Sequence, residues 1–579
     1  MKKIMYAFAG ILAVVACAKE NTPVEEGPEN NVFTLTAGLP EVPASKVSVG
    51  TDGKVTWSEN DAFAVWTTSG TKVKMTISGG IGTNLGTFTG TIDGELDTSV
   101  PAVYPYDWAA AAGKVEIPHY IERSDKVPAI MASSVSNDGS PVLFKHLAAV
   151  MEFTLKDVPA YACAFTLWSK TGEKLSGTYS VNASLNGLTC ESGNTDQIIY
   201  FPYKTAYGSD AVVKIYAAIP AYDYTDLAVR TLDGDESVIE GTGIHVPAAS
   251  AALSAGDYVA MPELNIRGMV GTARDKFIKV EGVKWAKGNL RAWKSAPAGE
   301  GWQDGWNIYA NQWENQFNLT RSDMDGKSLE KLTLDTSTFK EEKVYTHWDY
   351  FSWGTLGRAS RVHNAVITSS EAEFDICGKV FSGGSGDISQ KTELEGDARF
   401  ADTGGFTTNP SICGDLAFWA SKGKYRLPKS DELKKLYARY GGATAHMQAG
   451  YYMDERNNKV RGILFTSCPS WETPRYDKES EVALSAADME AGLFLPKSGE
   501  RTTNANPNTY NATTINFVNG WGVYWSGTYG GRKEGYEDCA RHINFTGGNE
   551  MTYGYTSKLS QTITGQTLLG NCIRPVLVD

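Results

Sequence analysis

The chain has 579 residues, which is too long for a single hydrophobic core and predicts roughly three or four domains. Its 54 basic residues against 67 acidic ones give a net charge of −13, which argues against nucleic acid or an anionic lipid surface as a partner. The 42% hydrophobic residues and 59 glycines indicate folded, turn-rich and mainly β domains rather than disorder.

The chain begins with Lys2, Lys3 and an apolar run, Ile4 to Ala16, which is too short to span a bilayer and is typical of a signal peptide. The run ends in Val14-Val15-Ala16-Cys17, which resembles the lipobox where bacterial signal peptidase cuts and the cysteine receives lipid. We expect residues 1–16 to be a lipoprotein signal peptide, Cys17 to carry the lipid, and residues 17–31 to be a flexible tether. An ordinary signal peptide with an incidental cysteine is the alternative.

The remaining cysteines and the histidines do not predict a metal site. Seven cysteines follow Cys17, none of them in a CxxC pair, and the seven histidines are scattered. We therefore predict no metal and no cofactor. Cys163 and Cys190 form a disulfide or remain free thiols, and the sequence leaves both open.

From residue 32 to about residue 266 the apolar residues alternate with polar ones, which predicts short strands. The alternation is clear at Phe33, Leu35 and Ala37, at Val73, Met75 and Ile77, at Met151, Phe153 and Leu155, and at Val213, Ile215, Ala217 and Ile219. Two successive β-sandwiches are the natural solution, with the boundary near residue 159.

Three segments in this region resemble the fimbrillin family, which comprises lipoprotein-derived pilins and related surface proteins of Bacteroidota. They are residues 55–65 (VTWSENDAFAV), 144–153 (FKHLAAVMEF) and 253–258 (LSAGDY). The resemblance implies two transthyretin-like β-sandwich domains, residues 32–159 and 160–266. It further implies a lipid anchor in the cell outer membrane, surface exposure, and strand exchange with other pilus subunits.

The sequence departs from the family in one respect. Polymerising subunits of the family lose an N-terminal segment to an arginine-specific protease, whereas the first arginine here is Arg123, well inside the first predicted sandwich. This departure favours a lipid-anchored or terminal subunit over a repeating shaft subunit.

Residues 267–579 differ in composition, because they hold 11 of the 15 tryptophans. They also contain the clearest helix, which we predict to begin with Ser430 as its cap and to present Leu433, Leu436, Tyr437 and Tyr440 on one face. This region is therefore predicted to be α+β.

Six motifs in residues 267–579 are similar to the Fibrobacter-major-paralogous domains, which are related to C-type-lectin-like and formylglycine-generating-enzyme-like folds. The motifs are residues 283–290 (VKWAKGNL), 351–354 (FSWG), 425–428 (YRLP), 493–496 (LFLP), 524–528 (YWSGT) and 573–576 (IRPV). The resemblance implies a C-type-lectin-like domain, a scaffold that serves sugar binding, protein binding and catalysis alike.

Exposed aromatic residues on such a domain can stack on the C–H face of a sugar, while polar neighbours bind its hydroxyls. The candidate ligand-binding residues are Trp302, Trp306, Trp313, Trp521 and Tyr529, which lie in two aromatic-rich segments. The competing interpretation is that most tryptophans of such a domain belong to its core.

No nucleophile elbow, P-loop or zinc-protease motif occurs, and the closely spaced active-site cysteines of the formylglycine-generating enzymes are missing, so we predict that the protein is not an enzyme. The leading hypothesis is a lipid-anchored pilus tip or accessory adhesin that binds glycan or protein through its C-terminal domain. The alternatives are a glycan-capture lipoprotein outside any pilus and, third, a carbohydrate-active enzyme with two carboxylates.

Overall fold

The fold is described by a computed structural model. It describes residues 32–40, 56–124, 126–201, 212–270, 276–293, 301–315, 347–351, 414–436, 444–454, 457, 459–503, 513–516, 520–533, 536–545, 551–558 and 569–578. The chain is mainly β, as the composition predicts. We refer to residues 32–147 as the N-terminal part, 148–270 as the middle part and 276–578 as the C-terminal part.

The N-terminal part is built on an eight-stranded sheet. In spatial order its strands are Val142–Leu143, Val32–Gly38, Leu85–Thr91, Lys72–Gly79, Ala62–Trp66, Ala102–Tyr104, Met131–Ser133 and Lys145–His146. The first two strands in this order are parallel to each other, and the other neighbouring pairs are antiparallel. A short 3-10 helix, Tyr106–Trp108, follows the strand Ala102–Tyr104.

One face of this sheet covers an aromatic core. Trp57 is 1% exposed, and its ring meets those of Phe88, Tyr104 and Phe144 edge-on at centroid distances of 4.9, 5.6 and 6.1 Å. The indole N–H of Trp57 donates to the carbonyl of Ala37 at 3.1 Å. The alternation predicted for the first strand is confirmed, because Leu35 and Ala37 point into this core.

The middle part contains two facing sheets. One sheet contains Val212–Pro220, Ala148–Lys156 and Tyr258–Ala260, with Leu264–Asn265 alongside. The other contains Ile244–His245, Leu227–Asp233, Ala162–Ser169 and Asp196–Tyr200, and the strand Tyr120–Glu122 of the N-terminal part extends it at the edge. A two-stranded ribbon and two short helices complete it: Tyr222–Asp223 with Ala252–Leu253, Ala248–Ala251 and Ile266–Val270. The predicted alternations near 151–155 and 213–219 are confirmed, since these apolar side chains form one core.

The first two parts interlock. A four-stranded sheet combines Ala109–Ala111 and Lys114–Ile117 with Ser176–Val181 and Leu188–Asn194, and an apolar cluster that includes Trp66, Leu147 and Tyr179 lies beneath it. The strand Ala148–Lys156 pairs only with strands of the middle part among the described residues. The strand Tyr120–Glu122 pairs with Asp196–Tyr200, so strands of the two parts also share a second sheet.

The described residues of the C-terminal part form five small sheets. The first sheet contains Phe277–Val280, Val283–Ala286, Val576–Leu577 and Tyr425–Arg426, and the second contains Trp306–Ile308, Leu290–Trp293 and His347–Trp348. The third contains Tyr476–Leu484, His446–Met453, Lys459–Thr466 and Leu493–Pro496. The fourth contains Thr513–Asn516, Glu500–Thr503 and Leu569–Gly570, and the fifth contains Gly522–Lys533, Tyr536–Phe545 and Met551–Lys558. Trp285 pairs with Val576, so the two ends of this part share one sheet.

Within the described residues, three helices accompany these sheets, namely Leu416–Ala420, Ser430–Lys435 and Ala486–Ala491. The predicted cap is displaced by one residue: Ser430 is the first helical residue, and Lys429 is the cap. The reason is that the Glu432 carboxylate accepts the backbone N–H of Lys429 at 2.7 Å and so closes the first turn. Tyr437 and Tyr440 lie outside the described residues.

Four cysteines in the described part of the chain are free thiols, namely Cys163, Cys190, Cys468 and Cys572. The Cys163–Cys190 disulfide that the sequence left open is therefore not formed. Within the described ranges, no helix combines the length and apolar character needed to cross a bilayer.

Candidate functional site

The middle and C-terminal parts are joined by a dense polar and aromatic contact. Lys279 is nearly buried, and its amine lies 3.1 Å from the carboxylate of Asp233 and 3.2 Å from that of Asp235. The Ser467 hydroxyl donates to Asp235 at 2.7 Å. The Trp471 ring stacks on that of Tyr200 at 5.6 Å, so the two parts meet through buried groups on both sides.

A cleft of about 370 Å³ opens beside this contact, and we call it the junction cleft. The middle part contributes Tyr161 and Arg267, and the C-terminal part contributes the rest of the lining: Phe277, Ile278, Lys279, Lys287, Ala310, Asn311, Gln312, Trp313, Tyr452, Ala486, Met489 and Glu490. Its volume falls within the range of about 300–1,000 Å³ that is typical of small-molecule sites.

Two aromatic rings form the apolar wall of the junction cleft. Trp313 and Tyr452 are both half-buried and stack with their centroids 5.9 Å apart and their planes 23° apart. Trp313 also packs against an apolar cluster that includes Leu484 and Phe494. The pair is therefore held from behind while its rings line the cleft.

The loop that carries Trp313 is fixed by the side chain of Gln312, which is 5% exposed. The amide nitrogen of Gln312 donates to the carbonyls of Met489 and Gly492 at 2.6 and 2.8 Å, and its oxygen accepts the backbone N–H of Phe494 at 2.7 Å. One side chain thus ties the loop to the strand Leu493–Pro496.

Arg574 anchors the same loop from the core. It is 1% exposed and donates to the Gln312 carbonyl at 3.0 Å, to the Asn289 side chain at 2.8 Å and to the Lys287 carbonyl at 3.0 Å. Burial lowers the pKa of its guanidinium to about 10, which leaves it protonated at neutral pH. These three acceptors are neutral amide oxygens, so Arg574 acts as a multiple hydrogen-bond donor that fixes the backbone.

Two of the cationic side chains that line the junction cleft are held by carboxylates. The Arg267 guanidinium binds Glu490 at 2.7 Å and Asp157 at 3.2 Å, and the hydrogen bond with Glu490 raises the pKa of Arg267. Lys279 is held by its two aspartates as described above. The cleft therefore offers rings and fixed polar groups, with Lys287 as a further amine in its lining.

This arrangement suits a polar ligand with an apolar face. A sugar ring presents C–H groups that stack on aromatic rings, and its hydroxyls take hydrogen bonds from side chains such as Asn311 and carboxylate oxygens such as those of Glu490. Gln312 and Arg574 hold the loop that carries Trp313 in place before a ligand binds, and this lowers the entropic cost of binding.

Two of the candidate aromatics lie in the core instead. Trp302 is 5% exposed and stacks on Tyr425 at 5.5 Å, and Trp306 is 2% exposed between Phe351 and Trp419 at 5.4 and 5.6 Å. Their faces are covered by protein in this structure. The site described here therefore does not include them.

The other candidates are distributed differently. Trp313 lines the junction cleft, whereas Trp521 is half-buried outside it, with its carbonyl accepting the N–H of Gly499 at 2.6 Å. Tyr529 pairs with Ala540 in the strand Gly522–Lys533, and its side chain lies outside the described residues. Cys17, the signal peptide and the tether also lie outside them.

Sequence reasoning missed most of the cleft. Arg267 and Glu490 are 223 residues apart, and no local pattern connects them. Tyr452 lies near the end of the strand His446–Met453, whose sequence carries no local sign of a ligand site. Arg574 belongs to the IRPV motif and could have been singled out as an arginine in an apolar terminal segment.

No group of three or more histidine, cysteine, aspartate or glutamate side chains that could hold a metal ion occurs in the described part of the chain.

No family model matches the sequence, and no curated protein matches it. Among solved structures, the chain is similar to a Bacteroides uniformis protein provisionally assigned to cell adhesion, with 18% identity over 42% of this chain and 95% of that chain and a TM-score of 0.25. It is also similar to the tip fimbrial protein Mfa3 of Porphyromonas gingivalis, truncated at its C-terminus, with 11% identity over 38% and 85% and a TM-score of 0.17. A fimbrial protein of Bacteroides ovatus gives 9% identity over 90% and 95% and a TM-score of 0.20.

Proposed function

We propose that this protein is a cell-surface, lipid-anchored, fimbrillin-like tip or accessory adhesin whose C-terminal part binds glycan. The junction cleft carries the proposal: it combines an aromatic pair, Trp313 and Tyr452, with fixed polar groups in a volume suited to a small ligand. The lipobox-like segment ending at Cys17 supports export and outer-membrane anchoring.

A glycan array probed with the mature chain tests the binding site. We expect Trp313→Ala to weaken binding at least about tenfold, because it removes the ring that would stack on the sugar. Trp521→Ala is the matched control, since Trp521 is a half-buried tryptophan of the same part outside the cleft. Equal loss in both folded variants, or no loss in either, would refute the site.

An open sheet edge favours assembly into a pilus over a role as an isolated glycan-capture lipoprotein. The strand Val32–Gly38 pairs along its whole length with Leu85–Thr91, but on its other side only Ala37 and Gly38 pair within the described residues. Val32, at the free end, is 66% exposed. Main-chain groups of the first five residues can thus pair with a strand of another subunit.

Subunit ladders in outer-membrane fractions test this part of the proposal. We expect ladders from the wild-type chain, and their loss when proline replaces Val32 and Thr34, because proline removes main-chain donors along the edge. Exposed Thr98→Pro, away from that edge, is the control for proline itself. Wild-type cells without ladders would favour the glycan-capture alternative.

The proposal is of a binding protein rather than an enzyme. Glu490, paired with Arg267, is the carboxylate that lines the junction cleft. Turnover of a glycan by the purified chain that Glu490→Gln abolishes would replace this proposal with the carbohydrate-active alternative.

A further inference from the structure

A second cleft, of about 400 Å³, lies between the N-terminal and middle parts, and we call it the N-terminal cleft. One wall comes from Asp61 and the segment Tyr104–Trp108. The other comes from Ile121, Glu122, Ser124 and residues 126–129 of the N-terminal part, together with Ile199 and Tyr216 of the middle part. It shares no lining residue with the junction cleft.

Four aromatic residues are among those that line the N-terminal cleft. Tyr104 is 9% exposed, while Tyr106, Trp108 and Tyr216 are half-buried. The amine of Lys72 lies 4.1 Å from the centre of the Tyr106 ring, so that ring is engaged by a cation. Trp108, which also packs against the apolar cluster beneath the four-stranded sheet, and Tyr216 contribute further aromatic surface to the lining.

Asp61 supplies a fixed hydrogen-bond acceptor in the same cleft. One carboxylate oxygen accepts the backbone N–H of Ser58 at 2.6 Å, and the other accepts the Tyr104 hydroxyl at 3.1 Å. Each carboxylate oxygen has a further lone pair, so Asp61 retains capacity to accept from a ligand hydroxyl. These two bonds hold the carboxylate in one orientation, which reduces the entropy that a bound ligand must overcome.

Charges of both signs surround this acceptor. Asp107 and Glu122 are exposed carboxylates, and Lys126 is an exposed amine, all lining the cleft beside Lys74. A wall that mixes signs gives no strong preference for a charged ligand, whereas neutral hydroxyls can both donate to the carboxylates and accept from the amines.

We propose that the N-terminal cleft is a second saccharide site, which binds a neutral sugar of one or two rings by stacking on Trp108 and Tyr216 and by hydrogen bonding to Asp61. The site is formed by residues of the N-terminal and middle parts and does not depend on the junction cleft. Two clefts on one chain would let a branched or repeated glycan bind at both sites, with a gain in avidity.

Saturation-transfer NMR with the mature chain tests the proposal, with methyl glycosides of neutral hexoses and N-acetylhexosamines as probes. The experiment uses the Trp313→Ala background, so that the junction cleft contributes little. We expect transfer to at least one glycoside, and an approximately tenfold rise in its Kd on Trp108→Ala. Trp168→Ala, a half-buried tryptophan of the middle part outside both clefts, is expected to bind like the background.

Asp61→Asn provides a second variant, because it preserves shape and is expected to weaken the same glycoside if Trp108→Ala fails to fold. Absence of transfer to every glycoside would overturn the second site. So would binding that survives both Trp108→Ala and Asp61→Asn unchanged. Either result would leave the junction cleft untouched, because that site is read out separately through Trp313 in the wild-type background.

Discussion

Arg574 offers the sharpest test of how the junction cleft is held. Its guanidinium makes three hydrogen bonds of 3.0 Å or less, to Asn289, Lys287 and Gln312, from a side chain that is 1% exposed. At about 1.5 kcal/mol for each bond from a charged donor, they sum to about 4.5 kcal/mol. The desolvation that lowers the pKa of Arg574 to about 10 offsets part of this.

We therefore expect Arg574→Ala to lower the free energy of unfolding of the C-terminal part by about 3 kcal/mol. Urea unfolding followed by tryptophan fluorescence measures it, because most tryptophans lie in that part. The same change is expected to weaken ligand binding, since it releases the loop that carries Trp313.

Arg475→Ala is the matched control. The Arg475 side chain is 54% exposed and pairs with Glu472 at 2.7 Å, so its loss is expected to cost less than about 1 kcal/mol. If Arg574→Ala also costs less than about 1 kcal/mol, the interpretation of Arg574 as the anchor of the loop is refuted.

Three further predictions follow from buried groups. Burial lowers the pKa of His542 to about 4 from 6.5, so the unfolded state takes up the proton first as the pH falls. The free energy of unfolding of the C-terminal part should therefore fall by about 3 kcal/mol between about pH 6.5 and pH 4. Urea titrations at several pH values check this, and the same dependence of the unfolding free energy on pH in His542→Gln would contradict it. Trp57→Ala should cost the N-terminal part about 3–5 kcal/mol by calorimetry, since the ring is 1% exposed; a change below about 1 kcal/mol would show that the core tolerates the cavity. Lys279→Met should lower the free energy of unfolding by about 3 kcal/mol and speed proteolysis at the junction, because it leaves Asp233 and Asp235 without their counter-ion. Adding Asp233→Asn should restore part of this loss. If neither change has an effect, the ion pair does not link the two parts.

The strands were predictable where one face of a sheet is buried. Leu35 and Ala37, or Met151 and Phe153, alternate with polar residues because successive side chains of a strand point to opposite faces. The partners of the strand Ala148–Lys156 were less predictable, because alternation identifies a strand but not its partners. Ala148–Lys156 reads the same whether it pairs with the N-terminal or the middle sheet.

For the candidate site, the sequence could predict only the type of residue, namely that aromatic side chains would line it. Trp302, Trp306 and Trp313 lie within one short stretch of sequence with similar polar neighbours, yet the first two fill the core and the third lines a cleft. Burial depends on what the rest of the chain brings against each ring, such as Tyr425 against Trp302. That information is non-local, and so is the pairing of residues from different parts that forms the cleft walls.

The central claim is that the junction cleft binds glycan through the Trp313–Tyr452 pair. A crystal structure of the mature chain with the best ligand from the glycan array tests it most directly. We predict a sugar ring in van der Waals contact with that aromatic pair, with hydroxyls bound by Asn311 and Glu490. A glycan bound elsewhere on the C-terminal part, with an empty junction cleft, would contradict the account.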